Sequence, residues 1–234
     1  MAHPDQVEFI DIVKRHFPAS FAAGAVLEIG SLDINGSVRS LFPGTNYTGV
    51  DVAVGPGVDE VCQGQLVGHP SGSFDVVISC ECMEHNPFWS ETVSNMFRLT
   101  KPGGLVIVSC ATIGRAEHGT TRTSGGDSPL SIGIGWEYYK NISRSDFKRS
   151  FNLDYWFEDY LLLINWHHSD LYFVGVRKTS ANSGPIVPLQ KALTVRFGLT
   201  QSFRSVCVGT VAALFGEFGL NCLRPVWRLF PQKT

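Results

Sequence analysis

Apolar residues recur along this chain with two spacings, and the alternation between the two lays out the fold. Val7, Ile10, Val13 and Phe17 sit at helical spacing and stop at Pro18, which predicts a short opening helix. Ala25-Val26-Leu27-Glu28-Ile29 is a compact apolar run halted by Gly30, the pattern of a strand buried on both faces. Ser37 to Phe42 reads as a helix stopped by Pro43-Gly44, Tyr47 to Asp51 as a second strand, and Val58 to Cys62 as a weak third. The turn Pro70-Ser71-Gly72-Ser73 introduces a fourth strand, Phe74 to Ser79. A helix from Phe88 to Leu99 and a fifth strand, Leu105 to Ser109, follow. Strands separated by helices need crossover connections, so an α/β fold is predicted, with a parallel sheet covered by helices on both faces.

After the fifth strand the pattern breaks. Residues 110–135 are rich in Gly, Thr and Ser and longer than a connector requires, the mark of a functional lid or of a disordered segment. Ser143-Arg144-Ser145-Asp146 opens a helix to about Ser150 with a capping-box pattern. Trp156 to Ile164 and Leu171 to Arg177 are β-rich, and the six residues between them suit a hairpin, so the sheet is expected to end in an antiparallel pair. Thr179 to Pro188 reads as a linker, and residues 189–231 read as one or two amphipathic helices. The expected organisation is a domain over residues 1–178, a linker over 179–188 and a helical C-terminal appendage over 189–234.

Composition changes this picture in two places. The net charge of −2 is unevenly spread: from Lys191 onward six Lys/Arg face one Glu, which is +5 and leaves −7 on residues 1–190. An acidic body without a basic aromatic patch argues against a nucleic-acid partner. The apolar, basic tail is expected to be covered by its own domain, by a twin subunit in a homodimer, or by peripheral contact with a membrane surface. Six cysteines without metal-type CxxC pairs read as reduced, buried thiols. The start of the chain lacks the pattern of a secretory signal, so a cytoplasmic protein is expected, at most peripheral to the inner face of the membrane.

The candidate chemistry begins where the first strand ends. In a parallel α/β sheet ligands bind outside the carboxyl ends of the strands. There Gly30 and Gly36 allow close backbone approach, and Asp51, at the end of the second strand, can accept both hydroxyl hydrogens of a ribose. A nicotinamide dehydrogenase would share these features. However, Gly30-Ser31-Leu32-Asp33-Ile34-Asn35-Gly36 does not fit GxGxxG, and Glu28 would lie badly beside a pyrophosphate. Glu28 suits a cofactor that carries an ammonium and a sulfonium.

Taken in order, Val26-Leu27-Glu28-Ile29-Gly30, Gly49-Val50-Asp51, Phe74 to Ser79, and Leu99 to Val108 with its Lys101-Pro102-Gly103-Gly104 turn resemble the successive motifs of class I S-adenosylmethionine (SAM)-dependent methyltransferases, of the type-11-like branch that acts on small molecules and glycans. The resemblance covers about residues 20–110. It implies a Rossmann-like, doubly wound, mostly parallel seven-stranded sheet with a final antiparallel hairpin strand, and SAM as cofactor with S-adenosyl-L-homocysteine (SAH) as product. By the same resemblance Glu28, Gly30, Ser31 and Gly36 surround the methionine portion, and Asp51 and Val52 the ribose. Gln63 and Gly64, with Cys62, flank the adenine, and Cys80 and Glu81 face the cofactor from below. The sequence departs from the family pattern twice. Leu32 to Asn35 replace the usual middle glycine, with Asn35 the residue there that best tolerates positive φ. Gln63 stands where an aspartate is common.

Methyl transfer to a hydroxyl needs an aligned nucleophile and a place for its proton. Glu84 and His85 follow the fourth strand and His118 follows the fifth, so these three are the candidate catalytic residues. His167-His168 read as a hairpin turn. Glu84, His85 and Asp127 are a minor alternative as a metal site, but with no recognisable ligand spacing no metal is expected. Arg115, Glu117, Arg122, Tyr138 and Tyr139 are the candidate contacts to the acceptor, a set suited to a hydroxyl-rich or anionic small molecule. The expected function is O-methylation of a polar small molecule such as a sugar, glycan or glycan precursor. The alternatives are N- or C-methylation of another metabolite, or a non-catalytic module that binds SAM or a nucleoside.

Overall fold

The computed structural model describes residues 4–179, 186–198 and 211. Seven strands form one sheet: β1 (Ala25–Ile29), β2 (Asn46–Asp51), β3 (Glu60–Val61), β4 (Phe74–Cys80), β5 (Thr100–Ala111), β6 (Phe157–Asn165) and β7 (Asp170–Arg177). Their spatial order is β3-β2-β1-β4-β5-β7-β6. β1 to β5 pair in parallel, whereas β7 runs antiparallel to both β5 and β6. This is the doubly wound sheet with a closing hairpin that the alternation of apolar runs predicts. The expected fifth strand grows at both ends, because Thr100 already pairs with Phe74 and a register shift absorbs the following turn.

Alternate residues along each strand feed two cores, which is why the central strands are apolar throughout. Leu27, Val77, Val106 and Val108 face the side covered by α3 (Trp89–Leu99), α5 (Arg144–Ser150) and α6 (Leu153–Trp156). Val26, Val76, Ile78, Leu105 and Ile107 face α1 (Pro4–His16), α2 (Pro18–Ala22) and α7 (Ile186–Leu193). Helix α5 carries the predicted capping box: Ser143 Oγ accepts from the Asp146 N–H, and the Asp146 carboxylate accepts from the Ser143 N–H. A fourth helix in chain order, α4 (Pro129–Gly133), lies in the Gly/Ser-rich stretch expected to be irregular.

Two expected elements shrink. The predicted Ser37–Phe42 helix is a single 3-10 turn, Val38–Leu41, closed by Ser37 Oγ on the Arg39 N–H. The Asp33 side chain already bends the chain at Gly36 and Pro43 ends it, which leaves too few residues for a cooperative α-helix. The weak strand expected over 58–62 keeps only two residues, at the sheet edge.

Helix α7 begins at Ile186, inside the stretch that reads as a linker. Ile186, Leu189, Leu193 and Phe197 are buried in the core face that also holds Phe9, Ile10 and Tyr172. Tyr172 stacks on Phe9 with ring centroids 4.1 Å apart and takes Phe197 edge-on at 5.4 Å. Arg196 closes the contact on α1, donating to both Glu8 carboxylate oxygens at 2.7 and 2.6 Å. Residues 186–198 therefore dock on the domain itself; the remainder of the predicted appendage, Val211 apart, lies outside the described residues. Among the described residues no helix is long and apolar enough to cross a membrane. Because Leu189 is fully buried, Leu189→Ala should cost about 2–4 kcal/mol, read from the shift of the urea unfolding midpoint. A shift equivalent to less than ~0.5 kcal/mol, the size expected of a surface substitution, would show α7 to be undocked in solution.

Candidate active site

Strand order reverses between β1 and β4, so the connections leaving their carboxyl ends diverge and open a crevice. A cleft of about 650 Å³ lies there, walled by Glu28 of β1 with Gly30 and Ser31 just beyond it, Asp51 of β2, Cys80 at the end of β4, and Glu81, Cys82 and His85 after it. Residues Asp127 to Ser131, leading into and forming α4, line it as well, so part of the stretch that reads as a lid borders the site. A second, smaller cleft of about 310 Å³ shares Gly30, Asp51, Cys82 and Ser131 and runs on to Val52, Cys62, Gly64, Asn86 and Trp136. Asp51 stands where the two meet.

The Asp51 carboxylate is held by the backbone. Its Oδ2 accepts from the Leu32 N–H at 3.0 Å and its Oδ1 from the Val52 N–H at 2.7 Å, so each oxygen keeps a lone pair for a further donor. Burial raises its pKa despite both bonds. Glu28 is more deeply enclosed. Its Oε2 accepts from Tyr47 Oη at 2.9 Å, yet burial pushes its pKa up to about 7. A cation placed in the cleft is what such a carboxyl lacks. At Gly30, with φ +79°, a Cβ would lie 2.5 Å from Cys82 Sγ, so only glycine lets the loop pass this close. Gly36 also takes positive φ, whereas Asn35, although it lines the cleft, does not. Ser31 Oγ is buried without a hydrogen-bond partner.

Glu81 adopts a left-handed φ of +50°, uncommon for a residue with a side chain. Ser109 pins it from β5: the carbonyl of Ser109 accepts from the Glu81 N–H at 2.9 Å, and its hydroxyl donates to Glu81 Oε1 at 2.8 Å. Of the residues expected around the adenine, Gly64 lines the smaller cleft but Gln63 does not. The Gln63 side-chain oxygen accepts from Gln65 instead, and Cys62, Asn86 and Trp136 supply that wall. Asn86 and Trp136 carry no local signal of this role, because distant loops bring them there.

Behind His85 lies a second cluster. Glu84, His85 and His118 each present a ligand atom within 4.8 Å of the others. Glu84 Oε1 accepts from the Ala111 N–H at 3.1 Å, while Glu84 Oε2 and His85 Nδ1 are buried without hydrogen-bond partners. Burial, followed by the neighbouring Glu81 carboxylate, raises the Glu84 pKa. Burial lowers that of His85 to about 3 and also lowers that of His118, so both imidazoles are neutral at pH 7. The imidazole rings meet edge-to-face at 4.9 Å, and Tyr139 packs against both.

The other residues expected to touch the acceptor are turned elsewhere. Arg115 donates to the His168 carbonyl and to the buried Asp170 carboxylate, Glu117 accepts from Thr120 and Arg122, and Tyr138 does not line either cleft. Arg115 and Glu117 are drawn off by complementary partners that the sequence places far away or on the next turn. The Tyr139 hydroxyl lies within hydrogen-bond distance of the Ala116 carbonyl and Asn141 Oδ1, which leaves its ring as the wall of the histidine cluster.

This fold and cleft define a Rossmann-type protein that binds a nucleoside-bearing ligand across a switch point. The sequence matches the family described as "Methyltransferase domain" over residues 1–160. The chain belongs to the class I SAM-dependent methyltransferases. Among solved structures it is similar to phosphoethanolamine N-methyltransferase 2 of Haemonchus contortus, solved with phosphomonomethylethanolamine and SAH. The TM-score is 0.54 at 17% identity, over 74% of this chain and 52% of that one. It is also similar to the YcgJ protein of Bacillus subtilis, with a TM-score of 0.52 at 11% identity, over 76% of this chain and all of that one. The chain thus spans about half the length of the Haemonchus contortus enzyme. No curated protein matches it by sequence.

The cleft fits the family's cofactor. A bare backbone approach at Gly30, the unpartnered Ser31 hydroxyl, two open lone pairs on Asp51 and a carboxyl short of a cation at Glu28 complement a methionine tail and a ribose. With the ribose placed on those two lone pairs, Asp51→Ala would remove two hydrogen bonds, at about 1.5–3 kcal/mol for each bond to a charged group. SAH affinity measured calorimetrically should therefore fall at least ~10-fold, and unchanged affinity in the folded variant would remove Asp51 from the site. Glu28 supplies a pH test. Tyr47, Arg39, Asp51 and Asp33 surround it, and with its pKa near 7 the carboxyl gains its charge as pH rises through neutrality. An ammonium-bearing ligand binds the ionised form, so affinity should be about tenfold weaker at pH 6 than at pH 8. Glu28→Gln should abolish that slope, and a slope that persists in this variant would assign it to another group.

Proposed function

We propose that this methyltransferase transfers the methyl group of SAM to a hydroxyl oxygen of a polar small molecule, of the sugar or glycan-precursor kind, with the acceptor held at the Glu84–His85–His118 cluster. One observation carries the reading. Glu84 Oε2 and His85 Nδ1 are enclosed polar atoms without partners, and His85 is part of the cleft wall. Leaving a buried polar group unsatisfied costs about 1–3 kcal/mol, and such groups call for a functional explanation. A ligand hydroxyl that both donates and accepts would satisfy them. The bound cofactor supplies a methyl group on a positive sulfur. The chain's own work is to line up the acceptor oxygen, keep water out and receive or pass on one proton. The Asp127–Ser131 roof serves the second task. The neutral imidazoles serve the third. His118 Nδ1 lies 3.0 Å from the Ala116 carbonyl, and donating to it leaves the Nε2 lone pair for a proton or an acceptor.

The test uses methyl-labelled SAM with sugar-nucleotide pools, polysaccharide extracts and small amines, followed by identification of the methylated atom. An O-methyl product supports the reading, whereas an N-methyl product, as the name of the Haemonchus contortus enzyme describes, would overturn the oxygen assignment. With the true acceptor, His118→Asn or His85→Asn should lower turnover by about 10²-fold while SAH affinity stays within twofold. If both variants turn over normally, the acceptor is held elsewhere.

A further inference from the structure

We propose that Glu84, His85 and His118 bind one divalent cation of the zinc class beside the cofactor cleft, and that this cation holds the acceptor oxygen. The inference rests on the acceptor cluster proposed above and gives it a chemical means. Two imidazole nitrogens and one carboxylate oxygen form the donor set of open transition-metal sites, three protein ligands with a position left for water or substrate. Their ligand atoms already lie within 4.8 Å of one another, and coordination at about 2.0–2.2 Å asks them to close in by roughly 1 Å. His118 sits on the loop between β5 and α4, where such a shift disturbs no ladder of the sheet.

The surroundings are those of ligands rather than of filler. Metal-binding histidines usually donate their second ring N–H to a backbone carbonyl or carboxylate, and His118 has the Ala116 carbonyl at 3.0 Å from Nδ1 for this. Glu84 is oriented by the Ala111 N–H on one oxygen and keeps the other, buried, without a partner, as is His85 Nδ1. Gly119 takes φ +64°, and a Cβ there would lie 2.5 Å from His85 Cε1 and 3.0 Å from Nδ1, so glycine next to His118 lets the two histidines meet. Arg115, whose charge bears on Glu84 and on both histidines, is paired with the buried Asp170 carboxylate. A second trio, Asp5, His167 and His168, has the same residue types. There Asp5 Oδ2 already accepts from Asn165 and Asp5 Oδ1 lies 3.4 Å from the Arg196 guanidinium, so this carboxylate already has a donor and a cation beside it. With the cation in the first trio the two imidazoles serve as ligands instead of proton acceptors, and the acceptor hydroxyl, entering the open position, gives its proton to the hydroxide held there, which leaves as water. The oxygen lone pair then forms the bond to the methyl carbon as the carbon–sulfur pair returns to sulfur.

The experiment is calorimetric titration of the chelator-stripped full-length chain with Zn²⁺ and, separately, with Mg²⁺, with SAH affinity measured on the same preparations. One equivalent of Zn²⁺ and little Mg²⁺ should bind, since imidazole donors disfavour the harder ion. His118→Asn and Glu84→Gln should each weaken Zn²⁺ by at least ~10-fold while SAH still binds, and His167→Ala should leave Zn²⁺ binding as it was. No stoichiometric Zn²⁺ binding, or binding lost only in His167→Ala, overturns the metal site while normal SAH affinity leaves the methyltransferase reading standing. Failure of the unsubstituted chain to bind SAH strikes that reading instead. Should Glu84→Gln misfold, the half-buried His118 decides alone.

Discussion

The reversal of strand order at β1 and β4 is the constraint on which the rest of this protein depends. A parallel sheet buried on both faces leaves its functional groups only the strand ends, and the reversal opens one place where diverging connections cannot cover them. Gly30 and Asp51 meet there because β1 and β2 pair in register, Ile29 against Val50, and so end side by side. The Leu32 and Val52 amides that orient Asp51 are products of that same ending. The cleft wall at this point is thus mostly backbone geometry, with a few side chains placed by it.

The second organising force is desolvation. The cleft carries Glu28 and His85, and behind them Glu84, in surroundings too dry to hold all of their usual charges. Both carboxyls are displaced toward their neutral forms and the histidine stays unprotonated. Such a site is set to gain from any ligand that brings positive charge or unites a donor with an acceptor. The same physics separates the two histidine clusters. Near α1 the acid of the cluster is already satisfied by Asn165 and Arg196, and near the cleft it is not.

The C-terminal segment illustrates how packing overrides local composition. Thr179 to Pro188 looks like a linker because Ser, Gly and Pro dominate it, yet Ile186 begins a helix. Proline is tolerated within the first turn, and burial of Ile186, Leu189 and Leu193 against α1 supplies what local propensity lacks.

Strand identity, the closing hairpin, the capped α5 and the placing of Glu28, Gly30 and Asp51 at the strand ends that line the cleft were legible in the sequence. Each follows from a short-range pattern: apolar runs, a capping box, or a glycine and an acid at strand ends. The extent of β5, the collapse of the Ser37–Phe42 helix to one 3-10 turn, and the diversion of Gln63, Arg115 and Glu117 from the site were not. Those outcomes turn on partners such as Phe74, Gln65 and Asp170, which local pattern does not connect to them. The meeting of His118 with Glu84 and His85 is the clearest case. Residues at the ends of β4 and beyond β5 become neighbours only because the sheet places those strands side by side and Gly119 lets the loop come down on His85. Sequence by itself determined which elements form and which residues lie at their ends. Only the tertiary structure decided which of those ends meet, because that depends on long-range pairing and the exclusion of water.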